Sequence, residues 1–324
     1  MTVSFNKEFL KKSQSLIALF LLCLVLSLLS DKFLTGTNLW NVLRQISVNV
    51  CISVGMTLVV LMAGIDLSVG SVLGLTAALS AGLLKNGLGF ESLDLFVGFT
   101  VLGGVLVAML VGLFLGFLNG WFITKFSIPP FVATLAMLTI ARGLTMLYTQ
   151  GMPISNLGSS FEFIGSGWFL GIPVPVWISA FFVLIVLFLS KKTTFGRYIY
   201  AIGGNEKAAF LSGININRVK LIVYGIAGMM ASVAGILVTS RLNSAQPNAG
   251  ASYELDSIAA VVIGGTSLSG GVGSVTGTVI GAAIIGVLNN GLVLLNVSPF
   301  WQQVVKGLVI LVAVIIDKIN QKKD

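Results

Sequence analysis

Long apolar runs alternate with short polar stretches along almost the whole chain. Most of the runs reach or approach the ~20 residues that a helix needs to cross the hydrocarbon core of a bilayer. The eighth run is short, so we expect either a broken helix or one that ends inside the membrane. The pattern predicts an all-α integral membrane protein with about ten transmembrane helices, near residues 15–30, 45–63, 67–85, 95–118, 130–149, 174–190, 219–240, 255–267, 274–296 and 300–317.

Composition agrees with a membrane location. Of the 324 residues, 56% are hydrophobic and only 9% are charged, whereas about a quarter of the residues in a soluble domain are charged. The mean hydropathy is +1.01. Because apolar surface faces lipid as well as a core, length is no guide to the number of domains. We expect residues 1–324 to form a single transmembrane domain.

The net charge of +8 would suggest a nucleic-acid partner in a soluble protein. Here the basic residues cluster between apolar runs, as the positive-inside rule predicts for cytoplasmic loops, so we expect no nucleic acid. With ten crossings the basic segments fall on one side of the membrane, which places both termini in the cytoplasm. These segments contain Lys7, Lys11, Lys12, Lys125, a cluster within residues 191–220, and Lys318, Lys322 and Lys323.

Histidine is absent, and the two cysteines, Cys23 and Cys51, lie in apolar surroundings. The absence of histidine excludes His-based metal sites and the Ser-His and Cys-His pairs of nucleophilic enzymes. Acidic residues are sparse, so a clustered catalytic set is not expected. The sequence therefore predicts no catalytic residue, no metal and no cofactor.

Residues 264–274 read GGTSLSGGVGS and raise the question of nucleotide binding. Leu268–Gly271 match four of the five letters of the signature of ABC ATPases. A nucleotide-hydrolysing chain also needs the phosphate loop G-x-x-x-x-G-K-[ST], and neither Gly-Lys-Ser nor Gly-Lys-Thr occurs in the sequence. We therefore attribute the match to chance.

The same stretch resembles an earlier one. Residues 60–74, VLMAGIDLSVGSVLG, can be laid over residues 261–277, VVIGGTSLSGGVGSVTG, with Gly270 and Gly271 inserted. Internal repeats with glycine interruptions at matching places indicate a transport pathway, and chance similarity between Gly-, Val- and Ser-rich segments is the alternative. The glycines permit either irregular backbone beside a pore or close packing of helices.

Two isolated charges lie within apolar runs. A carboxylate at the centre of a bilayer costs roughly 2.5–3.5 kcal/mol, so Asp66 is expected to face protein or water. Asp66 is interpreted as a polar determinant of the translocation path or, with Ser68, as a cap of the following helix. Arg142 could contact substrate hydroxyls, pair with an internal acid or reach the outer surface.

Amide side chains provide a hydrogen-bonding surface without an ionic cost. Asn41, Gln45 and Asn49 share one helix face, and Asn289 and Asn290 interrupt the ninth run. Such a surface suits a neutral, hydroxyl-rich solute such as a sugar, and interhelical hydrogen bonds are the alternative. The predicted translocation path comprises Asn49, Asp66, Ser68, Gly70, Thr266, Ser267, Asn289 and Asn290.

The polar segment at about 191–219 is predicted to contain a short exposed helix. Gly203, Gly204 and Asn205 predict a turn and an N-cap, and residues 206–211 form about two helical turns that Gly213 closes. A helix of this kind is suited to the groove of a partner protein, and a plain connector is the alternative.

Four stretches of the chain are together similar to the bacterial ABC sugar permeases, and the resemblance covers essentially the whole sequence. It implies a permease subunit of the bacterial inner membrane, not itself an enzyme, that forms the path for ribose or a similar monosaccharide. The implied partners are a separate ABC ATPase subunit, a periplasmic sugar-binding protein and a second permease copy. The stretches are GIDLSVGS at 64–71, GRYIYAIGGNEKAAFLSGIN at 196–215, RLNSAQPNAGASYELDSIAAVVIGGTSLSGG at 241–271 and NNGL at 289–292.

The resemblance also assigns a role to the short helix. Members of the family carry a Glu-Ala-Ala motif with a glycine four residues later, in a helix that enters a cleft of the ATPase and transmits its closure. Lys207 separates the glutamate from the alanines here, so the fit is loose. The implied ATPase-coupling residues are Asn205, Glu206, Ala208, Ala209 and Gly213.

An ion-coupled secondary sugar carrier is the alternative function. Such carriers usually have several acids inside the membrane or a bound-ion site. Within its apolar runs this chain offers only Asp66, which argues against this class.

Overall fold

The computed structural model describes residues 2–90 and 95–321. Within this part, the side chains of residues 2–13, 90, 95, 316, 317, 320 and 321 are not described. Lys322 and Lys323 of the charge argument lie outside the described residues, as do the side chains of Lys7, Lys11 and Lys12.

Most of the described residues are helical. The helices are α1 (Thr2–Leu29), α2 (Gly36–Leu61), α3 (Val69–Asn86), α4 (Val101–Phe126), α5 (Pro130–Thr149), α6 (Ser159–Ser166), α7 (Val174–Lys192), α8 (Thr194–Gly204), α9 (Glu206–Leu211), α10 (Ile216–Leu242), α11 (Tyr253–Ile263), α12 (Val275–Leu294) and α13 (Pro299–Gln321). Short antiparallel strands pair within the loops: β1 (Leu88–Phe90) with β2 (Leu95–Val97), β3 (Ile154–Ser155) with β6 (Ser244–Ala245), and β4 (Trp168–Phe169) with β5 (Ile172–Pro173).

Each predicted apolar run coincides with a helix, namely α1 to α5, α7 and α10 to α13. Among the described helices, 7 are long and apolar enough to cross a membrane: α2, α3, α4, α5, α7, α10 and α12. The apolar parts of α1 and α13 are shorter, Gln14–Leu29 and Pro299–Ile315. Helix α11 has 11 residues, which at 1.5 Å per residue is about 16 Å. The prediction of an all-α integral membrane protein is confirmed.

Several helix boundaries differ from the predicted runs, and the starts of α4 and α2 are two of them. The fourth run was predicted to begin at residue 95, but α4 begins at Val101 because residues 95–97 pair with 88–90 as a hairpin. The second run was predicted to begin at residue 45, but α2 begins at Gly36. Its first turns mix polar and apolar residues, and the polar Asn38 donates through Nδ2 to Asn290 Oδ1 at 3.0 Å.

Helices α2, α3 and α10 form the centre of the helix bundle. The apolar stretches of these helices are 72–78% buried. Those of α4, α5 and α7 are only 22–28% buried, because these helices present apolar side chains outward as lipid-facing helices do. Helix α4 lies directly against α10 because it has small residues at the contact. A Cβ atom at Gly112 would overlap Ser232, and one at Gly116 would overlap the carbonyl oxygen of Tyr224. This is the close approach that glycine permits between membrane helices.

The bundle has two distinct ends. At one of them, called here the α9 end, α2, α4 and α11 finish while α3, α5, α10 and α12 begin. Contacts that mark this end include Gly120 against Leu221 and the hydrogen bond from the Leu67 amide to Thr134 Oγ1 at 3.1 Å. The opposite end carries the β3–β6 pair and α6. The turns that hold the predicted site therefore lie at the end that carries the short helix α9.

Candidate functional site

The short helix α9 has the structure that its sequence predicts. Asn205 Oδ1 accepts the backbone N–H of Ala208 at 3.0 Å and so caps the helix. Gly213 has φ +82°, and its N–H donates to the Phe210 carbonyl at 2.9 Å. Glu206 forms an ion pair with Lys220 of α10, with 2.7 Å between Oε1 and Nζ. The caps and this ion pair hold α9 against the start of α10.

Gly203 and Gly204 do not form the predicted turn. They are the last residues of α8, which runs from Thr194 to Gly204 and leads directly into the cap residue Asn205. Gly203 lies against other backbone, where a side chain would not fit, so this position of the helix requires glycine.

The outer surface of α9 carries two large apolar side chains beside the charged Glu206 and Lys207, and it lines an open groove of about 1090 Å³. Phe210 is 68% exposed and Leu211 84% exposed, although both are large apolar residues. Ala209 is buried against the bundle, and Ala208 is exposed beside Asn205. Exposed large apolar residues at a polar end of the bundle are typical of contact sites for other proteins.

The turn between α2 and α3, residues 62–68, is built around Asp66. Asp66 Oδ1 accepts the Ser68 N–H at 2.9 Å and the Ser68 hydroxyl at 2.6 Å. Ser68 Oγ in turn accepts from Asn119 Nδ2 of α4 at 2.9 Å. All three side chains are buried. Asp66 thus closes a turn on Ser68, the residue just before α3, whose own side chain makes no capping hydrogen bond. The roles of Asp66 as a helix cap and in a path stay predictions.

The turn between α11 and α12, residues 264–274, has a matching bond. Ser267, which the repeat aligns with Asp66, accepts the N–H of Ser269 at 3.2 Å through its Oγ. In both turns the acceptor side chain and the donor N–H are two residues apart. Gly265, Gly270 and Gly271 have φ values of +85°, +83° and +73°, conformations that glycine adopts at little cost. The shared bond supports the interpretation as an internal repeat.

Thr266, a residue of the 264–274 turn, has a buried side chain. It is 1% exposed and packs against Gly273, where a side chain would overlap it. Its hydroxyl is a buried polar atom that has no hydrogen-bond partner within the described residues. Such an atom is costly in the conformation seen here.

The two turns contact each other and α8. The Gly271 N–H donates to the carbonyl of Leu61, the last residue of α2, at 2.9 Å. A Cβ at Gly203 would overlap the Leu61 carbonyl oxygen, and one at Gly270 would lie 2.8 Å from the Ala63 nitrogen. The backbones of both turns and of α8 therefore meet at a single point at the α9 end.

A side chain of α8 makes a further connection. The Tyr200 hydroxyl donates to the Gly273 carbonyl at 2.9 Å, so it joins α8 to the 264–274 turn. Burial raises the pKa of Tyr200 above its ordinary value. The hydroxyl therefore keeps its proton at neutral pH and remains a donor.

Residues 246–252 return toward the middle of the bundle instead of remaining at its end. Arg142, well inside α5, donates through Nη1 to the Pro247 carbonyl at 3.2 Å and the Ala249 carbonyl at 2.8 Å. A Cβ at Gly70 would overlap the Gly250 carbonyl oxygen and the Glu254 carboxylate. Arg142 is thus placed by backbone carbonyls of this segment, a contact that the sequence did not suggest. We call residues 246–252 the re-entrant segment.

An ion pair between α11 and α13 was missed from the sequence. Asp256 Oδ2 accepts from Lys306 Nζ at 2.9 Å and from Asn289 Nδ2 at 3.2 Å. Asp256 is buried. The expectation that Asp66 is the only acid within the apolar runs is wrong, because Glu254 and Asp256 lie in the first turn of α11. Their positions just before an apolar run, with Lys306 inside the last one, were the available signal.

The remaining predicted path residues lie apart from the turns. Asn290 and Asn38 exchange two hydrogen bonds, at 2.9 and 3.0 Å between Nδ2 and Oδ1, and so join α12 to α2. Asn49 is buried within α2. The structure thus brings together Asp66, Ser68, Thr266 and Ser267 in the two turns. It places Asn49, Asn289 and Asn290 elsewhere, with Gly70 against the re-entrant segment.

Comparisons with known proteins agree with this arrangement of helices. Residues 38–314 match the family model described as the permease component of the branched-chain amino acid transport system. The ribose import permease protein of Haemophilus influenzae is 50% identical over 96% of this chain and 94% of its own length. The ribose import permease protein of Escherichia coli is 48% identical over 98% of this chain and 97% of its own length.

A more distant relative is the xylose transport system permease protein of Haemophilus influenzae, which is 36% identical over 95% of this chain and 96% of its own length. A search of solved structures found no significant match. The family match extends over most of the chain and the relatives align almost from end to end, so this chain belongs to the permease family of the bacterial ABC importers.

Proposed function

We propose that the chain is the membrane-spanning subunit of an ATP-driven importer in the bacterial inner membrane and carries ribose or a similar monosaccharide. The observation that carries the proposal is the near-identity in length and the 50% sequence identity to ribose import permeases. The xylose permease relatives widen the cargo to related pentoses. ATP hydrolysis belongs to separate subunits, since permeases of this family are not enzymes.

The partners follow from the family. An ABC ATPase subunit docks at the α9 end, where Phe210 and Leu211 expose an apolar surface beside a groove. Closure of the ATPase moves α9 and, through it, the bundle between two arrangements. Within α9, Asn205 and Gly213 cap the helix, and Glu206 ties it to α10. A periplasmic sugar-binding protein delivers the sugar to the opposite end and supplies most of the specificity.

The chain is proposed to form one transmembrane domain with ten membrane helices and both termini in the cytoplasm. The α9 end is the cytoplasmic end because α9 would meet the ATPase there. Lys125 at the end of α4, Lys191 and Lys192 at the end of α7 and Lys220 near the start of α10 lie at this end. Their charge agrees with the positive-inside rule.

A second copy of the chain is proposed to cover the re-entrant segment. Asn248 and Ala251 of this segment are exposed, and Leu255 at the start of α11 is 45% exposed. Irregular backbone that faces lipid does not occur at membrane depth, so this face needs protein or a water-filled path over it. A homodimer would provide both, with the sugar path between the copies and the four path residues of the two turns, Asp66, Ser68, Thr266 and Ser267, at its cytoplasmic exit.

The proposal is tested by reconstitution in proteoliposomes with the ATPase subunit, ribose and the binding protein. We expect ribose uptake that requires ATP on the side of the ATPase and the binding protein on the other side. Xylose and ribose in competition identify the preferred cargo. The acidic residues Asp66, Glu254 and Asp256 are the feature that would suit an ion-coupled carrier. Uptake that persists without ATP and disappears with an ionophore would favour that carrier over this proposal.

A further inference from the structure

The last turn of α8, Tyr200–Gly204, lies at the junction of the two glycine-containing turns. On one side it contacts Leu61, the last residue of α2 before the turn at 62–68, and on the other it contacts residues 264–274. On its C-terminal side only Asn205 separates it from α9. An element in this position moves with α9 and touches the 264–274 turn and the residue that leads into the 62–68 turn.

Tyr200 provides a directional contact in this junction. Its hydroxyl donates to the Gly273 carbonyl at 2.9 Å. Gly273 lies just before Ser274, whose Oγ accepts the Gly277 N–H at 3.1 Å and begins α12. The tyrosine is thus bonded to the backbone that immediately precedes a membrane helix.

Gly203 provides a steric contact in the same junction. Its α-carbon lies where a side chain would overlap the Leu61 carbonyl oxygen and the Gly271 nitrogen. These two atoms are already joined by a hydrogen bond at 2.9 Å. A displacement of Gly203 toward this bond pushes on the end of α2 and on the 264–274 turn together, because packed backbone has no room to absorb it.

We propose that the last turn of α8 transmits the displacement of α9 to both turns, with Tyr200 as the positioning residue that moves the 264–274 turn. The proposal rests on the proposed function, since it assumes an ATPase that moves α9. Tyr200 pulls on Gly273 through its hydrogen bond, and Gly203 carries the same movement to Leu61. The two copies of the repeat thereby respond to one input and change together.

The test measures how many sugars are carried per ATP hydrolysed. The complex of the permease, ATPase and binding protein is reconstituted with Tyr200→Phe, and ribose uptake and ATP hydrolysis are recorded on the same vesicles. We expect normal assembly and normal basal ATP hydrolysis but about a threefold or greater fall in ribose carried per ATP. Tyr198→Phe is the matched control, since Tyr198 lies on the same helix and is exposed. It should leave the ratio unchanged.

A pair of glycine substitutions tests the steric contact. A Cβ at Gly203 would overlap the Leu61 carbonyl oxygen, whereas one at Gly204 would meet nothing within 4 Å. Gly203→Ala is therefore expected to lower the ratio and Gly204→Ala to leave it unchanged. This pair keeps the idea falsifiable if Tyr200→Phe fails to assemble.

The outcomes separate the two proposals. If the wild-type complex shows no ATP-dependent uptake, the proposed function fails. If the wild type transports and Tyr200→Phe gives the wild-type ratio of sugar to ATP, the transmission proposal is overturned while the function stands. Equal losses of uptake and ATP hydrolysis in Tyr200→Phe also overturn it, because they indicate a structural role only.

Discussion

The ammonium group of Lys306 lies 2.9 Å from the carboxylate of Asp256, 50 residues away along the chain. The pair joins α13 to α11, and Asn289 of α12 donates to the same carboxylate oxygen. Asp256 Oδ1, by contrast, is buried and has no hydrogen-bond partner within the described residues. The negative charge of Asp256 is therefore compensated mainly by Lys306.

Lys306→Met is expected to destabilise the protein strongly. The substitution keeps an unbranched side chain but leaves the Asp256 carboxylate buried without a counter-ion, which costs about 3–5 kcal/mol. The midpoint of thermal unfolding in detergent micelles, followed by tryptophan fluorescence, measures the effect. The double variant Asp256→Asn with Lys306→Met removes both charges and should recover most of the loss. Equal destabilisation by the single and the double variant would contradict this account of the pair.

The sequence predicted local features well and distant partnerships poorly. Helix α9 and its caps were predictable, because Asn205 and Gly213 act on backbone within three or four residues of themselves. The turns at 62–68 and 264–274 were also located, since the glycines and the repeated pattern lie within short stretches. In these cases the determinants and their effects share one segment of chain.

The partners of Arg142 and Asp256 could not be predicted in the same way. Arg142 binds carbonyls about a hundred residues later, in a segment that folds back into the bundle. Asp256 meets Lys306 only because α11 packs beside α13. The position of Gly203 against Leu61 likewise depends on where α8 lies, and the sequence suggested only a turn there. Contacts of this kind depend on how the helices pack against one another. The order of apolar and polar residues along the chain does not specify that packing.

Asp66→Asn is expected to leave stability and ribose uptake close to those of the wild type. An amide oxygen has two lone pairs and can accept both the N–H and the hydroxyl of Ser68, so the turn before α3 is kept while the charge is removed. Asp66→Ala leaves the buried Ser68 N–H and hydroxyl without their acceptor and should cost about 1–3 kcal/mol. The two variants are compared by thermal unfolding and by uptake in vesicles. A stable Asp66→Asn protein that no longer transports would instead assign the charge a role in the path.

Leu211→Ala is expected to weaken assembly with the ATPase subunit without affecting the fold. Leu211 is 84% exposed, so its removal leaves no cavity in the bundle. Loss of an apolar anchor at a protein interface typically costs about 1 kcal/mol or more. Affinity is measured by co-purification and titration of the ATPase in detergent. Leu170→Ala is the control, since Leu170 is 77% exposed but lies in the turn between β4 and β5 at the opposite end. An equal effect of both variants would exclude a specific contact at Leu211.

Gly70→Ala is expected to displace the re-entrant segment. A Cβ at Gly70 would overlap the Gly250 carbonyl oxygen and the carboxylate of Glu254. Since Gly250 has φ +77° and belongs to the segment that Arg142 holds, the backbone there has little freedom to withdraw. We expect a lower unfolding temperature and a loss of ribose uptake, because the segment forms part of the face that a second copy would cover.

Gly143→Ala is the matched control for Gly70→Ala. Gly143 also lies in a membrane helix and is the neighbour of Arg142, but a Cβ there would meet nothing within 4 Å. Replacing glycine by alanine within a helix normally adds about 0.5–1 kcal/mol of stability. The control should therefore be as stable as the wild type or slightly more so, with normal uptake. If Gly70→Ala behaves in the same way, close packing of α3 against the re-entrant segment is not required for transport.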